Sequence, residues 1–141
     1  MVKPDAQTIK QLLADLRSFD KEKRRTAVMK LGMLGGEEAV RALIMAVQNE
    51  HEDLIVRGRA ALMLGKLGDT RAVEPLIRAL DAPGFQTPLH AAEALGRIGD
   101  NRAVAPLMNM ATSTRGKARD AAEEALRRLG HQIEIEPEPE N

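Results

Sequence analysis

The five residues Leu31-Gly32-Met33-Leu34-Gly35 recur as Leu64-Gly65-Lys66-Leu67-Gly68, as Leu95-Gly96-Arg97-Ile98-Gly99, and in degraded form as Leu126-Arg127-Arg128-Leu129-Gly130. From final Gly to final Gly the steps are 33, 31 and 31 residues. A second motif follows each of the first three copies, with Ala-Val at Ala39-Val40, Ala72-Val73 and Ala103-Val104. Gly68-Asp-Thr-Arg-Ala-Val-Glu-Pro-Leu76 and Gly99-Asp-Asn-Arg-Ala-Val-Ala-Pro-Leu107 agree at seven of nine positions. Self-similarity at this period is the mark of a stacked repeat architecture, in which one unit cannot bury its own apolar face.

Each period reads as two helices. Ala60, Ala61, Leu64 and Leu67 are spaced by three and four residues and form one apolar stripe. Gly68 then supplies a stop signal. The next helix carries Val73, Leu76, Ile77 and Leu80, with Pro75 in its first turn, where a missing N–H costs little. Equivalent second stripes are Val40, Leu43, Ile44 and Val47, then Val104, Leu107, Met108 and Ala111. Residues 5–18 match a second-type helix without its first partner, and residues 116–130 match a first-type helix without its second. The pattern therefore predicts one all-α domain over 1–130, a solenoid of about eight helices. Its capping helices are 5–18 and 116–130, and its full repeats are 20–52, 53–83 and 84–115. The acidic, Pro-interrupted run 131–141 is expected to be disordered.

Composition narrows the chemistry. The chain has no Cys, Trp or Tyr and two Phe, so its core is built from Leu, Ala, Val, Ile and Met. Thiolate nucleophiles, disulfides and Cys-ligated zinc are excluded. The longest apolar run, Ala42 to Val47, has six residues, far short of a membrane span, and Met1-Val-Lys-Pro-Asp5 lacks a signal-peptide core. A cytoplasmic location is the expectation. Twenty-one basic side chains balance 21 acidic ones. With the four glutamates of 131–141 set aside, 21 bases face 17 acids over residues 1–130. That excess is modest, and no aromatic platform exists for stacking bases, so the clusters Lys21–Arg25 and Arg115–Arg119 read as solvated faces before nucleic-acid contacts.

Residues 60–81 resemble the HEAT-like repeat of the phycobilisome-lyase type, and the likeness extends over roughly 20–130. The resemblance implies a right-handed superhelix, and it covers scaffolds, chromophore lyases and iron hydroxylases alike. In this repeat type the first helix opens with Asp and carries Val-Arg soon after. Asp20 with Arg24 and Asp53 with Val56-Arg57 fit that pattern, and Arg119 keeps only the Arg. In the third repeat Pro88 occupies the Arg position. Thr87-Pro88 reads as an N-cap followed by proline at the first helical position, so that helix is expected to start late and to lack the Arg-mediated link.

The iron-binding branch of the family repeats His-Glu pairs on its first helices. Here His51-Glu52 falls in a loop and His90 is followed by Ala91, so three histidines in separate contexts supply no converging ligand set. The Gly-x-x-Gly units sit at helix C-termini, where the dipole repels phosphate. Ser18 and Ser113 have no histidine placed to activate them, and Glu37-Glu38 and Glu123-Glu124 read as first-turn or surface charges. No catalytic residue, cofactor or metal site is expected.

In this family the off-stripe positions of the first helices line the concave side. Carried over, they are Arg25, Thr26, Met29 and Met33, then Arg59, Leu62 and Lys66. Leu89, His90, Glu93 and Arg97 follow, and the cap adds Asp120, Glu124 and Arg128. Met29, Met33, Leu62 and Leu89 are apolar where solvation calls for polar residues, and they read as one contiguous patch with a charged rim. The expected function is a noncatalytic interaction module or scaffold binding a protein or peptide on that face. The alternatives are a subunit of a bilin lyase or chromophore-handling chaperone and, third, nucleic-acid binding through the basic clusters. Self-association through the groove is a further option.

Overall fold

In a computed structural model that describes residues 5–131, every regular element is helical. The α-helices are α1 (Ala6–Asp15), α2 (Lys21–Leu34), α3 (Glu37–Gln48), α4 (Leu54–Leu67), α5 (Val73–Ala79), α6 (Gln86–Ile98), α7 (Val104–Ser113) and α8 (Gly116–Arg128). Short 3-10 turns at Thr70–Ala72 and Asn101–Ala103 lead into α5 and α7. These turns are absent from the sequence reading, and α1 is shorter than the run 5–18.

Starts and stops are set by local chemistry. The carboxylates of Asp20 and Asp53 accept from backbone N–H groups in the first turns of α2 and α4. Asp69 and Asp100 do the same for the two 3-10 turns. Gly68 and Gly99 end α4 and α6 at φ 69° and 80°, a left-handed conformation that a side chain would strain. The third first-type helix departs from expectation. α6 begins at Gln86, with Phe85 at the N-cap position and no side-chain cap bond. Thr87 is instead buried inside the first turn, its hydroxyl 3.5 Å from the Leu54 carbonyl, and Pro88 follows within that turn. Proline is tolerated there because the first turn has no intrahelical N–H bond to lose.

Two layers result. α2, α4, α6 and α8 form one, each packed closely on the next, while consecutive members of α1, α3, α5 and α7 meet sparsely. Helices of the first layer approach closely because Gly32, Gly65 and Gly96, in the last turns of α2, α4 and α6, leave room. A Cβ on Gly65 would lie 2.7 Å from the Ala94 Cα, and one on Gly96 would lie 2.8 Å from the Ala125 Cα. At Gly32 it would overlap the Met63 side chain. The layer with the shorter spacing lies on the inside of the curve, so these four helices line the concave face. Between the layers, Leu31, Leu64, Leu95 and Leu126 occupy one register position and are fully buried, as are Leu43, Leu76 and Leu107 opposite them. Alanines, together with Val28, Val47, Val56, Met63 and Val73, fill much of the remaining core.

Candidate functional site

The inner face presents the off-stripe residues, but not as one apolar patch. Met29, Leu62 and Leu89 are half-buried and packed against the core. Met33 alone of the four is strongly exposed, at 80%. It belongs to a hollow of about 610 Å³ at the N-terminal end, with Gln7, Gln11 and Leu12 of α1 and Lys30 and Leu34 of α2. Leu89 lies in a different hollow, of about 490 Å³, between α6 and α8. Its walls also include Ala121 and Ala125 and the charged residues Glu93, Arg97, Lys117, Asp120, Glu124 and Arg128. The contiguous patch expected from the sequence is therefore corrected to two separate depressions. The physical reason is curvature: close approach of α2, α4 and α6 draws Met29 and Leu62 into the packing between helices.

Arg25 is committed within the solenoid. Its guanidinium forks onto the Asp53 carboxylate at 2.8 and 2.9 Å and also meets Glu22 at 2.8 Å. Asp53 thus caps α4 and anchors it to α2 at once, and the Arg25 hydrogen bond holds its pKa at about 2. Arg24 runs beside it, pairing with Glu52 at 3.0 Å and donating to the Ser18 and Phe19 carbonyls. Its counterpart Arg57 is only 5% exposed and donates from Nε and Nη2 to the Val47 carbonyl at the end of α3. Arg59 reaches toward the Arg25 carbonyl at 3.5 Å.

Nearer the C-terminal end of the face, charges are less engaged. His90 Nδ1 lies 3.3 Å from Glu93 Oε2. Glu124 meets Arg127 at 3.1 Å and Arg128 at 3.6 Å. Among the described residues, Lys66, Arg97 and Lys117 pair with no carboxylate. Lys66, Arg97 and Arg128 hold the same register position in α4, α6 and α8, and Met33 holds it in α2. His51 is exposed in the α3–α4 loop. Among the described residues no cluster of three or more His, Asp or Glu is arranged to hold a metal. No helix there is long and apolar enough to cross a membrane.

Two features escaped the sequence reading. A third hollow, of about 530 Å³, opens on the outer layer between α1 and α3, lined by Leu13, Leu16, Arg17, Arg41, Met45 and Glu52 among others. Met45 is 70% exposed; its off-stripe position on α3 was the available signal. Along one edge, Phe19, Leu54 and Phe85 are also exposed, each just before or at the start of a first-type helix.

With this geometry in view, the HEAT-repeat family model matches residues 9–87 and 50–127, most of the chain. The chain belongs to the HEAT-repeat family. Over 85 residues this HEAT-repeat chain is 38% identical to phycocyanobilin lyase subunit alpha of Microchaete diplosiphon, covering 55% of itself and 29% of that protein. Its fold superimposes on a chain of the complex of CpcE and CpcF of phycocyanin lyase from Nostoc. The TM-score is 0.75 at 30% identity, over 92% of this chain and 56% of that one. Human deoxyhypusine hydroxylase gives a TM-score of 0.76 at 26% identity, over 92% and 46% of the two chains. The chain thus spans less than a third of the curated relative and about half of the similar structures.

Proposed function

We propose that this HEAT-repeat chain is a noncatalytic module that binds a protein or peptide segment on the α6–α8 part of its inner face. The observation that supports this reading is the hollow of about 490 Å³ in which Leu89 is flanked by Arg97 and Lys117, neither engaged by a carboxylate among the described residues. An apolar floor with a charged rim gives a partner an anchor and a register. Arg25, Arg59, Met29 and Leu62 then serve chiefly to hold the helices that shape the face. The test is site-specific photocrosslinking from position 93 in the host's lysate, beside an Arg97→Glu/Lys117→Glu variant of equal helicity. One partner crosslinked by wild type and lost from the variant supports the reading. A partner retained by both removes it from this hollow.

A second reading, a component of a chromophore-lyase assembly, is favoured by the likeness to phycocyanobilin lyase subunit alpha and to the phycocyanin lyase complex. Mixing the protein with phycocyanobilin decides it. A saturable change in the visible absorbance of the pigment supports this reading, and an unchanged spectrum at a large protein excess removes it.

A further inference from the structure

The chain's two aromatic residues are both phenylalanines, and both stand on the surface. Phe19 is fully exposed and Phe85 is 63% exposed, although phenylalanine is a residue that folding ordinarily buries. Leu54, also exposed, lies between them. Phe19 comes two positions before α2, Leu54 opens α4, and Phe85 immediately precedes α6. α2, α4 and α6 pack side by side, so the three residues form a row along the edge where these helices begin. Neighbouring packed helices lie about 8–10 Å apart, which makes the row roughly 20 Å long. None of the three lines either hollow of the inner face.

The backbone under each side chain is fixed. Arg24 donates from Nη1 to the Ser18 and Phe19 carbonyls at 2.7 and 3.1 Å while its Nε holds Glu52. The Asp53 cap precedes Leu54, and the Phe85 carbonyl accepts from the Leu89 N–H at 3.1 Å. A Cβ on Gly84 would lie 3.2 Å from the Leu54 Cδ1, so the α5–α6 loop lies directly against Leu54 and joins Phe85 to it. Apolar anchors held in place this way lose little freedom when a surface covers them. The charges along the row differ from end to end. At the α2 end Asp20 caps its helix and Glu22 meets Arg25, which leaves Lys21 and Lys23 exposed. At the α6 end Asp81 stands exposed. Among the described residues, none of Lys21, Lys23 and Asp81 forms an ion pair.

We propose that the Phe19–Leu54–Phe85 edge binds a second copy of this chain about a two-fold axis at Leu54. A row with a centre and two unlike ends is self-complementary under that operation. Each Phe19 then packs on Phe85 of the other copy, and Lys21 and Lys23 come to its Asp81. Arg115 and Lys117, one repeat beyond Phe85, fall outside the overlap. Glu50 and His51, just ahead of Leu54, meet their own counterparts near the axis, where like charges oppose association. Three anchors make a small interface, so the dimer is weak, with a dissociation constant above about 1 μM. The contact closes on itself and leaves both inner faces open, so the dimer offers two faces to a multivalent partner.

The test is analytical ultracentrifugation of the full chain at concentrations up to about 1 mM, well above the micromolar range expected of so small an interface. The expected result is a reversible monomer–dimer equilibrium. Phe19→Ser and Phe85→Ser, both on exposed positions and checked for equal helicity, should each weaken it about tenfold or more, because each removes both aromatic contacts of its own dimer. A mixture of the two variants keeps one Phe19–Phe85 contact in the mixed dimer, so it should associate more tightly than either variant alone. Asp81→Lys should weaken the dimer, and Lys21→Asp/Lys23→Asp combined with it should restore association. A wild type that stays monomeric throughout overturns the proposal. So does a dimer indifferent to both serine variants, which places the contact on another surface such as the α1–α3 hollow. A mixture no tighter than its components overturns the two-fold pairing, and growth beyond dimers overturns the closed arrangement. Position 93 lies away from this edge, so photocrosslinking there can fail while the dimer stands, and the reverse.

Discussion

The seam between α2 and α4 and the seam between α4 and α6 join the same kind of helix in the same register, yet different forces hold them. Across the first, Arg25 grips Asp53 and Arg24 grips Glu52. One repeat later the positions of Arg25 and Asp53 are Gly58 and Gly84, and that of Glu52 is Pro83. The second seam instead relies on contact: Gly65 lies against the Ala94 backbone, and a Cβ on Gly58 would lie 3.3 Å from the Gln86 Cβ. Two solutions to one docking problem teach that the repeat dictates spacing, while the means of holding it is free to vary. An ionic seam depends on pH and salt; a glycine seam depends on volume.

The largest effect is expected where volume decides. Gly65→Ala should gain about 1 kcal/mol in helix propensity. It must also push apart backbone now 2.7 Å from the new Cβ, a cost that typically reaches about 3 kcal/mol. A net loss of about 2 kcal/mol, read from urea unfolding, is the expected outcome; an increase in stability would break the account of the second seam. Gly32→Ala meets a side chain instead, so combining it with Met63→Ala should be distinctly less damaging than the sum of the two single changes. Strict additivity in that cycle would remove the distinction.

Next in size is Arg57→Met. It leaves the Val47 carbonyl without its two donors at a buried site, for an expected loss of about 1–2 kcal/mol in the same assay. The corresponding link is absent at Pro88, so α6 already folds without one. A neutral Arg57→Met would mean that α4 dispenses with it too.

The ionic seam is tested by acid. Asp53 has its folded pKa lowered from 3.8 to about 2, so its stabilising contribution is present above 3.8 and is lost as the pH falls through about 2. With allowance for solvent screening, that contribution is about 1 kcal/mol. Asp53→Asn should lower stability at neutral pH by that order and flatten the acid limb of the unfolding curve. An unchanged acid limb would show that Arg25 does not hold the seam. The smallest effect belongs to Arg71→Ala, since Arg71 and its partners Asp69 and Glu37 are solvent-accessible. Its melting temperature should differ from wild type only slightly, and not at all at high salt.

Much of this architecture can be read along the chain. The stripes at spacings of three and four place Leu31, Leu64, Leu95 and Leu126 in the core because burial of one helix face requires that period. The candidate face was legible as a set of register positions, but its division was not. Met29 and Met33 are equivalent on paper, four residues apart on one helix. Met29 packs against the core, whereas Met33 stands exposed where α2 meets α1. Arg25 read as an available cation because its partner Asp53 is 28 residues distant, and no local pattern announces that pairing.

The sequence by itself determined the helical repeat, its phase and its glycine punctuation. These follow from short-range rules: apolar periodicity, capping carboxylates, and the positive φ that glycine accepts. Only the tertiary structure decided which cations are spent on holding helices together and which remain along the rim. It also decided that the apolar off-stripe residues fall into separate hollows. The cause is that side-chain pairing and curvature depend on distances between repeats, which the close approach of Gly32, Gly65 and Gly96 to their neighbours sets and which no window along the chain contains.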